Sequence, residues 1–303
     1  MRRSLLTALV ACGAALTACS GGDKIVGADG SRPTAIAFAS GDSTYLASFL
    51  SAAAWGLMKQ MRTITNIQAT GFGSSRPACT PTATIGGTDA NANGLADDQT
   101  TQYAATSCTF LSNGINTTAS GSIRLQDLGG FYGYRITYNN YTLTGAKGDS
   151  VVTATLNGSY EFRYPITTAG SALDNTTLVL RTQSSAGSVT LTRAANLSGA
   201  LSPTSGVFAF NTFPGATMSL TGTLDITLAV TGNAVVANYP TTVAFNMAVS
   251  TPTSLTSPNT CAATPAFTAG AISAALTGTW SSAVRVAYTT CGSGTAENPG
   301  TKR

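Results

Sequence analysis

Residues 219–230 read SLTGTLDITLAV. Leu220, Leu224, Ile226, Leu228 and Val230 stand at even positions, while Thr221, Thr223, Asp225 and Thr227 stand at odd ones. Successive side chains of a strand point to opposite faces, so this stretch carries one apolar and one polar side. That alternation marks a half-buried antiparallel strand. The same rhythm runs through GSIRLQD (121–127), YGYRITYNNYTLT (132–144), SVVTATLNGSYEFRY (150–164) and TTLVLRT (176–182). It continues in GSVTLTR (187–193), GVFAF (206–210), TTVAFNMAV (241–249) and GTWSSAVRVAYTT (278–290).

Turn chemistry separates these runs: Gly129-Gly130, Lys147-Gly148-Asp149, Ala186-Gly187, Pro203-Thr204-Ser205-Gly206 and Thr231-Gly232-Asn233. Asn157-Gly158 reads either as a turn or as a bulge inside one long strand. No helix-length pattern interrupts the series, so crossover connections and a parallel sheet are not expected. A helix is expected nearer the N-terminus, in GDSTYLASFLSAAAWGLMKQMRTITN (41–66). Asp42 or Ser43 can cap it. Leu46, Phe49, Leu50, Ala53, Leu57, Met58 and Met61 recur at spacings of three and four, with Lys59 and Arg62 near the end that favours cations. The expected fold is therefore mainly β: a large, twisted antiparallel sheet, built as a meander, half-barrel or sandwich, with one amphipathic helix packed on it.

Composition agrees with a folded body. The chain of 303 residues is 43% hydrophobic and 9% charged, with 32 glycines, and such a chain buries a large core rather than staying disordered. Its net charge is +4, and two of the positive charges are Arg2 and Arg3 at the start. The remainder is too weak and too scattered to imply nucleic acid as a partner.

The first residues, MRRSLLTALVACGAALTACS, pair a basic start with an apolar run that is too short to span a bilayer. Leu16-Thr17-Ala18-Cys19 resembles the lipobox of bacterial lipoproteins. The resemblance implies removal of residues 1–18, a diacylglycerol on the Cys19 sulfur and an acyl chain such as palmitate on its nitrogen. Ser20 in place of Asp implies the outer membrane, and several acyl chains hold a protein to a bilayer far better than one. Residues 19–33 are expected as a flexible tether, 34–295 as a single β-rich domain and 296–303 as a disordered tail. With Cys12 in the leader and Cys19 acylated, Cys79, Cys108, Cys261 and Cys291 remain. An even number in an exported chain reads as disulfides. A hairpin turning at Asn93-Gly94 sets Cys79 opposite Cys108, and Cys261 and Cys291 bracket a second turn at Thr277-Gly278.

The segment TDANANGLADDQT (88–100) spaces oxygen-bearing residues at Asp89, Asn91 and Asn93, then gives Gly94, Leu95, Asp97 and Asp98. It resembles the Asp-x-Asp-x-Asp-Gly loops of dockerins and thrombospondin type 3 repeats. The resemblance implies Ca²⁺ held by Asp89, Asn91, Asn93, Asp97 and Asp98 with the Leu95 carbonyl. Two aspartates of that pattern are Asn here, and Thr100 stands where an EF-hand carries its bidentate Glu. A polar hairpin without metal is the alternative, because Asn-Gly favours two-residue turns unaided.

The chain contains no histidine, which removes Ser-His-Asp and Cys-His nucleophiles and His-bound zinc. Carboxylate pairs remain, as glycosidases use them, with Asp127, Asp149, Glu161, Asp174 and Asp225 as candidates. An aromatic group, Tyr132, Tyr134, Tyr138, Tyr141, Tyr160, Phe162 and Tyr164, makes cross-strand pairs or floors a groove for sugar or lipid. By parity Tyr132, Tyr134 and Tyr138 share a face and Tyr141 takes the other. Three functions are open at this point: a non-catalytic envelope protein that binds a protein or glycan partner or serves as a scaffold, a carrier of a lipid or other apolar ligand on a curved sheet, and a carboxylate-dependent glycan hydrolase.

Overall fold

A computed structural model describes residues 47, 50–58, 79–92, 96–112, 115–129, 133–163, 170–206, 215–232, 241–263, 265–278 and 282–297. The leader, Cys19, the tether, the N-cap of the expected helix, Asn93, Leu95, Tyr132 and Tyr164 lie outside the described residues. Among the described residues thirteen strands follow one another: β1 (Ala83–Gly86), β2 (Asp98–Tyr103), β3 (Thr109–Ser112), β4 (Ile115–Asp127), β5 (Gly133–Lys147), β6 (Ser150–Arg163) and β7 (Gly170–Ser184). They continue as β8 (Gly187–Pro203), β9 (Ala216–Gly232), β10 (Thr242–Ser257), β11 (Ala269–Gly278), β12 (Ser282–Thr290) and β13 (Ser293–Glu297). The last strand carries the sheet to Glu297, into the segment expected as a tail.

All thirteen form one antiparallel sheet in chain order, and among the described residues no pairing joins β1 to β13. The sheet is therefore an open meander. β2 and β3 lie end to end along β4, separated by a turn at Ala104–Cys108. A single sheet this wide coils because each strand is rotated relative to its neighbour. The coiling brings the ring of Tyr103 on β2 within 5.9 Å of Tyr141 on β5, across the intervening β4.

One face of the sheet is predominantly apolar. Leu220, Leu224 and Ile226 on β9 are buried, as the even positions of that strand predict, and Leu228 and Val230 continue their row half-buried. The opposite face carries Ser and Thr ladders and ion pairs: Ser219 with Ser254, Ser250 with Ser273, Thr142 with Thr155, and Asp98 with Arg124. Apolar inside and polar outside is the reverse of a lipid-facing barrel wall. No helix among the described residues is long and apolar enough to cross a membrane.

Residues 50–58 form the helix, α1. Residues 53–58 are all buried, so the helix is covered on more sides than a stripe packed on a sheet requires. It sits at one end of the apolar face, where Trp55 meets Phe267 edge-on at 5.8 Å. Its small residues, Ala53, Ala54 and Gly56, let it fit against the sheet.

Two cysteine pairs lie at disulfide distance. Cys79 and Cys108 have their Cα atoms 5.1 Å apart, and Cys261 and Cys291 5.6 Å apart. The β1–β2 ladder runs with Ala83 opposite Gln102, two residues away from the register that centres the turn on Asn93-Gly94. A shift of two preserves every facing, and the ladder ends before the cysteines, so the pair still meets.

One local irregularity reorders the core. Tyr138 faces Gly158 and Tyr141 faces Leu156, so β5 holds one residue more than β6 over this interval. The extra residue is a bulge at Asn139-Asn140, with Asn140 at φ 47° and its amide bonded to Asn157 Oδ1 at 2.7 Å. Gly121 on β4 stands beside it at φ 88°, where a Cβ would come within 2.2 Å of the Asn140 carbonyl oxygen. Asn157-Gly158 is thereby placed inside the continuous strand β6 and not at a turn.

Candidate functional site

The bulge turns Tyr141 onto the same face as Tyr138, and their rings lie 5.9 Å apart. Strict alternation had assigned them to opposite faces; the inserted residue reverses the parity beyond it. Tyr134 stacks on Phe162 at 4.9 Å and Tyr138 meets Tyr160 edge-on at 6.2 Å. These aromatics are cross-strand pairs on the inner face, and all are buried.

Beside them the apolar face carries an unexpected polar group. The strand register sets Tyr160 opposite Asp174, Gly158 opposite Thr176, and Leu178 opposite Arg193. Asp174 shares its side of β7 with Ala172, Thr176 and Leu180, all buried, and is itself fully buried. Arg193 lies between Leu191 and Ala195 on the same side of β8, with 16% of its side chain exposed. Thr176 links the two. Its hydroxyl donates to Asp174 Oδ1 at 2.6 Å, and Arg193 donates to the Thr176 oxygen at 2.7 Å. The Thr176 amide also donates to Asp174 Oδ1, at 3.1 Å. Tyr160, opposite Asp174 on β6, completes the group, with its hydroxyl near Thr176 and Arg193.

The group is incompletely satisfied. Asp174 Oδ2 lies 3.9 Å from the Arg193 guanidinium, beyond hydrogen-bond distance, and accepts no bond. Arg193 Nε–H likewise has no acceptor. Burial pushes the Asp174 carboxyl above its ordinary range, although Arg193 and Thr176 pull the other way. Burial also raises Tyr160, with the nearby Asp174 charge adding to it. A buried donor and a buried acceptor left open in one cluster are uncommon in native interiors.

Away from α1 the apolar face opens. Leu143 on β5, Val152, Ala154 and Leu156 on β6, and Leu228 and Val230 on β9 are only partly buried, yet they pack against the core. Register places them in the same cross-strand rows as buried Leu180, Val189 and Leu191. The result is a half-exposed apolar rim at the end of the sheet opposite α1. Arg193 is four residues along β8 from Val189, which is roughly 13 Å of strand.

The carboxylates considered for hydrolysis are dispersed. Asp174 is on the inner face, whereas Glu161 is on the outer face, clasped by Arg135 at 2.5 Å and Arg163 at 2.5 Å. Burial pushes Glu161 up, but the bonds from Arg163 and Arg135 outweigh it and hold the carboxyl below its usual value. Asp225 accepts from Asn246 on the neighbouring strand, and Asp149 accepts from Ser150 and Ser185 at a turn. Asp127 accepts from the Gly129 amide and from Asn91.

The loop at 89–98 is held by protein donors. Asp98 lies on β2 and forms a two-pronged pair with Arg124, which lowers its pKa. Asp97 Oδ2 accepts from the Ala90 amide at 3.1 Å, and the Asn91 amide group donates to Asp127 at 2.7 Å. Among the described residues no group of three or more His, Cys, Asp or Glu is arranged to hold a metal ion. Asp98 pairs with Arg124 on the outer face of the sheet, and Asn93 and Leu95 lie outside the described residues, so no calcium chemistry is derived from the loop.

Sequence reasoning singled out Asp174 and Tyr160 but passed over Arg193 and Thr176. The signal was available: Arg193 has the parity of Val189 and Leu191, and Asp174 that of Leu178 and Leu180. A charge on the apolar parity of a strand is the pattern to look for. No protein family, curated protein or solved structure matches this chain.

Proposed function

We propose that this protein is a non-catalytic, lipid-anchored component of the bacterial outer membrane that holds an apolar ligand, such as an acyl chain, against the inner face of its sheet. The observation that carries this reading is the open sheet with one largely apolar face, left half-exposed along Leu143, Val152, Ala154, Leu156, Leu228 and Val230. An apolar wall that curls without closing offers a lengthwise trough, and ligand sites are commonly concave, apolar and furnished with few polar groups. Helix α1 stoppers one end and the other is the point of entry. Anchoring through Cys19 would keep the trough beside the membrane that supplies or receives the ligand. The polar outer face suits contact with water and with other envelope components.

The test is to express the full chain with its leader in a Gram-negative host, purify it in mild detergent, and extract it for mass spectrometry. Stoichiometric co-purified lipid, together with saturable binding of the neutral dye 1-N-phenylnaphthylamine, is the expected result. Lack of both overturns the carrier role. Partition of the mature protein wholly into the aqueous phase of a detergent split overturns the anchor separately.

A further inference from the structure

Resting on that reading, we infer that Arg193 and Asp174 form the head-group site of the trough, and that the ligand it takes is a single-chain carboxylic acid. The two open valences are of opposite kind. Arg193 Nε–H is a buried donor without an acceptor, and Asp174 Oδ2 is a buried acceptor without a donor. Their side chains approach to 3.9 Å without bonding, so a small group with an acceptor and a donor side by side satisfies both. A protonated carboxyl is such a group: its carbonyl oxygen accepts from Arg193 and its hydroxyl donates to Asp174. The ligand carboxyl and Asp174 then share one proton and one negative charge, which the Arg193 guanidinium balances.

The surroundings agree. Thr176 already occupies Asp174 Oδ1 and one Arg193 nitrogen, so it orients both residues and leaves Asp174 Oδ2 and Arg193 Nε, both buried, without a partner. Tyr160 adds a hydroxyl at the same place. Toward the open rim the rows are Ala154, Leu180, Leu191 and Leu228, then Val152, Thr182, Val189 and Val230; apart from the Thr182 hydroxyl they suit a hydrocarbon tail. Burial holds the Asp174 carboxyl toward its protonated form, the state that makes one shared proton inexpensive. An ester of the same chain has no proton to donate and leaves Asp174 Oδ2 open.

The experiment compares dodecanoic acid with methyl dodecanoate as competitors for bound 1-N-phenylnaphthylamine, using the full chain. Wild type is expected to prefer the acid by at least tenfold. Arg193→Met and Asp174→Asn should each reduce that preference to about threefold or less while dye binding persists. Equal competition by acid and ester in wild type overturns the head-group site and leaves the carrier reading standing; a buried water would then fill the two valences. Failure of the dye to bind saturably overturns both. Retention of the acid preference in folded Arg193→Met also overturns the assignment. Because the wild-type comparison alone can refute it, misfolding of a variant does not shelter the proposal.

Discussion

Replacing Arg193 with Met removes the cation from a buried pair while keeping a long side chain in its place. Two costs follow. The Thr176 hydroxyl loses a charged donor at 2.7 Å, a bond of the kind worth about 1.5–3 kcal/mol. Asp174, fully buried, loses the only guanidinium within ion-pair distance among the described contacts. Breaking a buried pair typically costs about 3–5 kcal/mol, but Asp174 can escape part of that by taking a proton. We expect a loss of about 3 kcal/mol at pH 8. The sign of the pH dependence follows from linkage. The folded pKa of Asp174 lies above the unfolded value of 3.8, so its ionisation disfavours the fold as pH rises from that value to the folded pKa, and the effect is constant above it. Without Arg193 the folded pKa moves higher, and each further unit of separation costs about 1.36 kcal/mol at alkaline pH. Lowering the pH from 8 to 5 should therefore restore roughly 1–2 kcal/mol more to the variant than to wild type. Urea unfolding followed by Trp fluorescence at both pH values measures this. The double variant Arg193→Met/Asp174→Asn should lose the extra pH dependence. If Arg193→Met unfolds within about 1 kcal/mol of wild type at pH 8, or shows the same pH profile, the account of the buried pair is wrong.

Deleting Asn140 should be severely destabilising, because it removes the bulge and turns Tyr141 and Leu143 to the outer face. Circular dichroism and expression yield would report it, and a stable deletion would contradict the register derived for β5 and β6. Gly121→Ala, at φ 88° and against the Asn140 carbonyl, should cost about 1–3 kcal/mol in urea unfolding. Loss of the Cys261–Cys291 link by Cys→Ser at both positions opens a loop of separation 30 and should cost about 3.5 kcal/mol on the chain-entropy account, read as a lower denaturation midpoint. Glu161, held below its unfolded value by Arg163 and Arg135, contributes stability that is present above about pH 4.5 and is lost as pH falls through its folded pKa. Glu161→Gln should therefore lower stability at neutral pH and flatten the acid limb of the profile; an unchanged acid limb would refute this.

Much was legible in the chain itself, because alternation is a local property. The even positions of 219–230 specify which side of that strand is wet, and the turn residues between runs specify that each strand returns antiparallel to the last. The cysteine pairing was legible only from approximate turn positions: Ala83 stands opposite Gln102 and Leu276 opposite Ser282, so neither pair is equidistant from its turn and Thr277-Gly278 lies inside β11. What escaped was non-local. Tyr141 changes face because one residue bulges at Asn139-Asn140, and its adoption depends on Gly121 and Asn157 from the flanking strands accommodating it. Arg193 and Asp174 belong to different strands, and only the pairing of β7 with β8 brings them together with Thr176 between. Whether the sheet closes depends on twist accumulated over many strands, a quantity no short segment encodes. Side-chain parity resides in the covalent geometry of each strand, whereas curvature and the meeting of distant charges emerge only when all the strands are stacked in register.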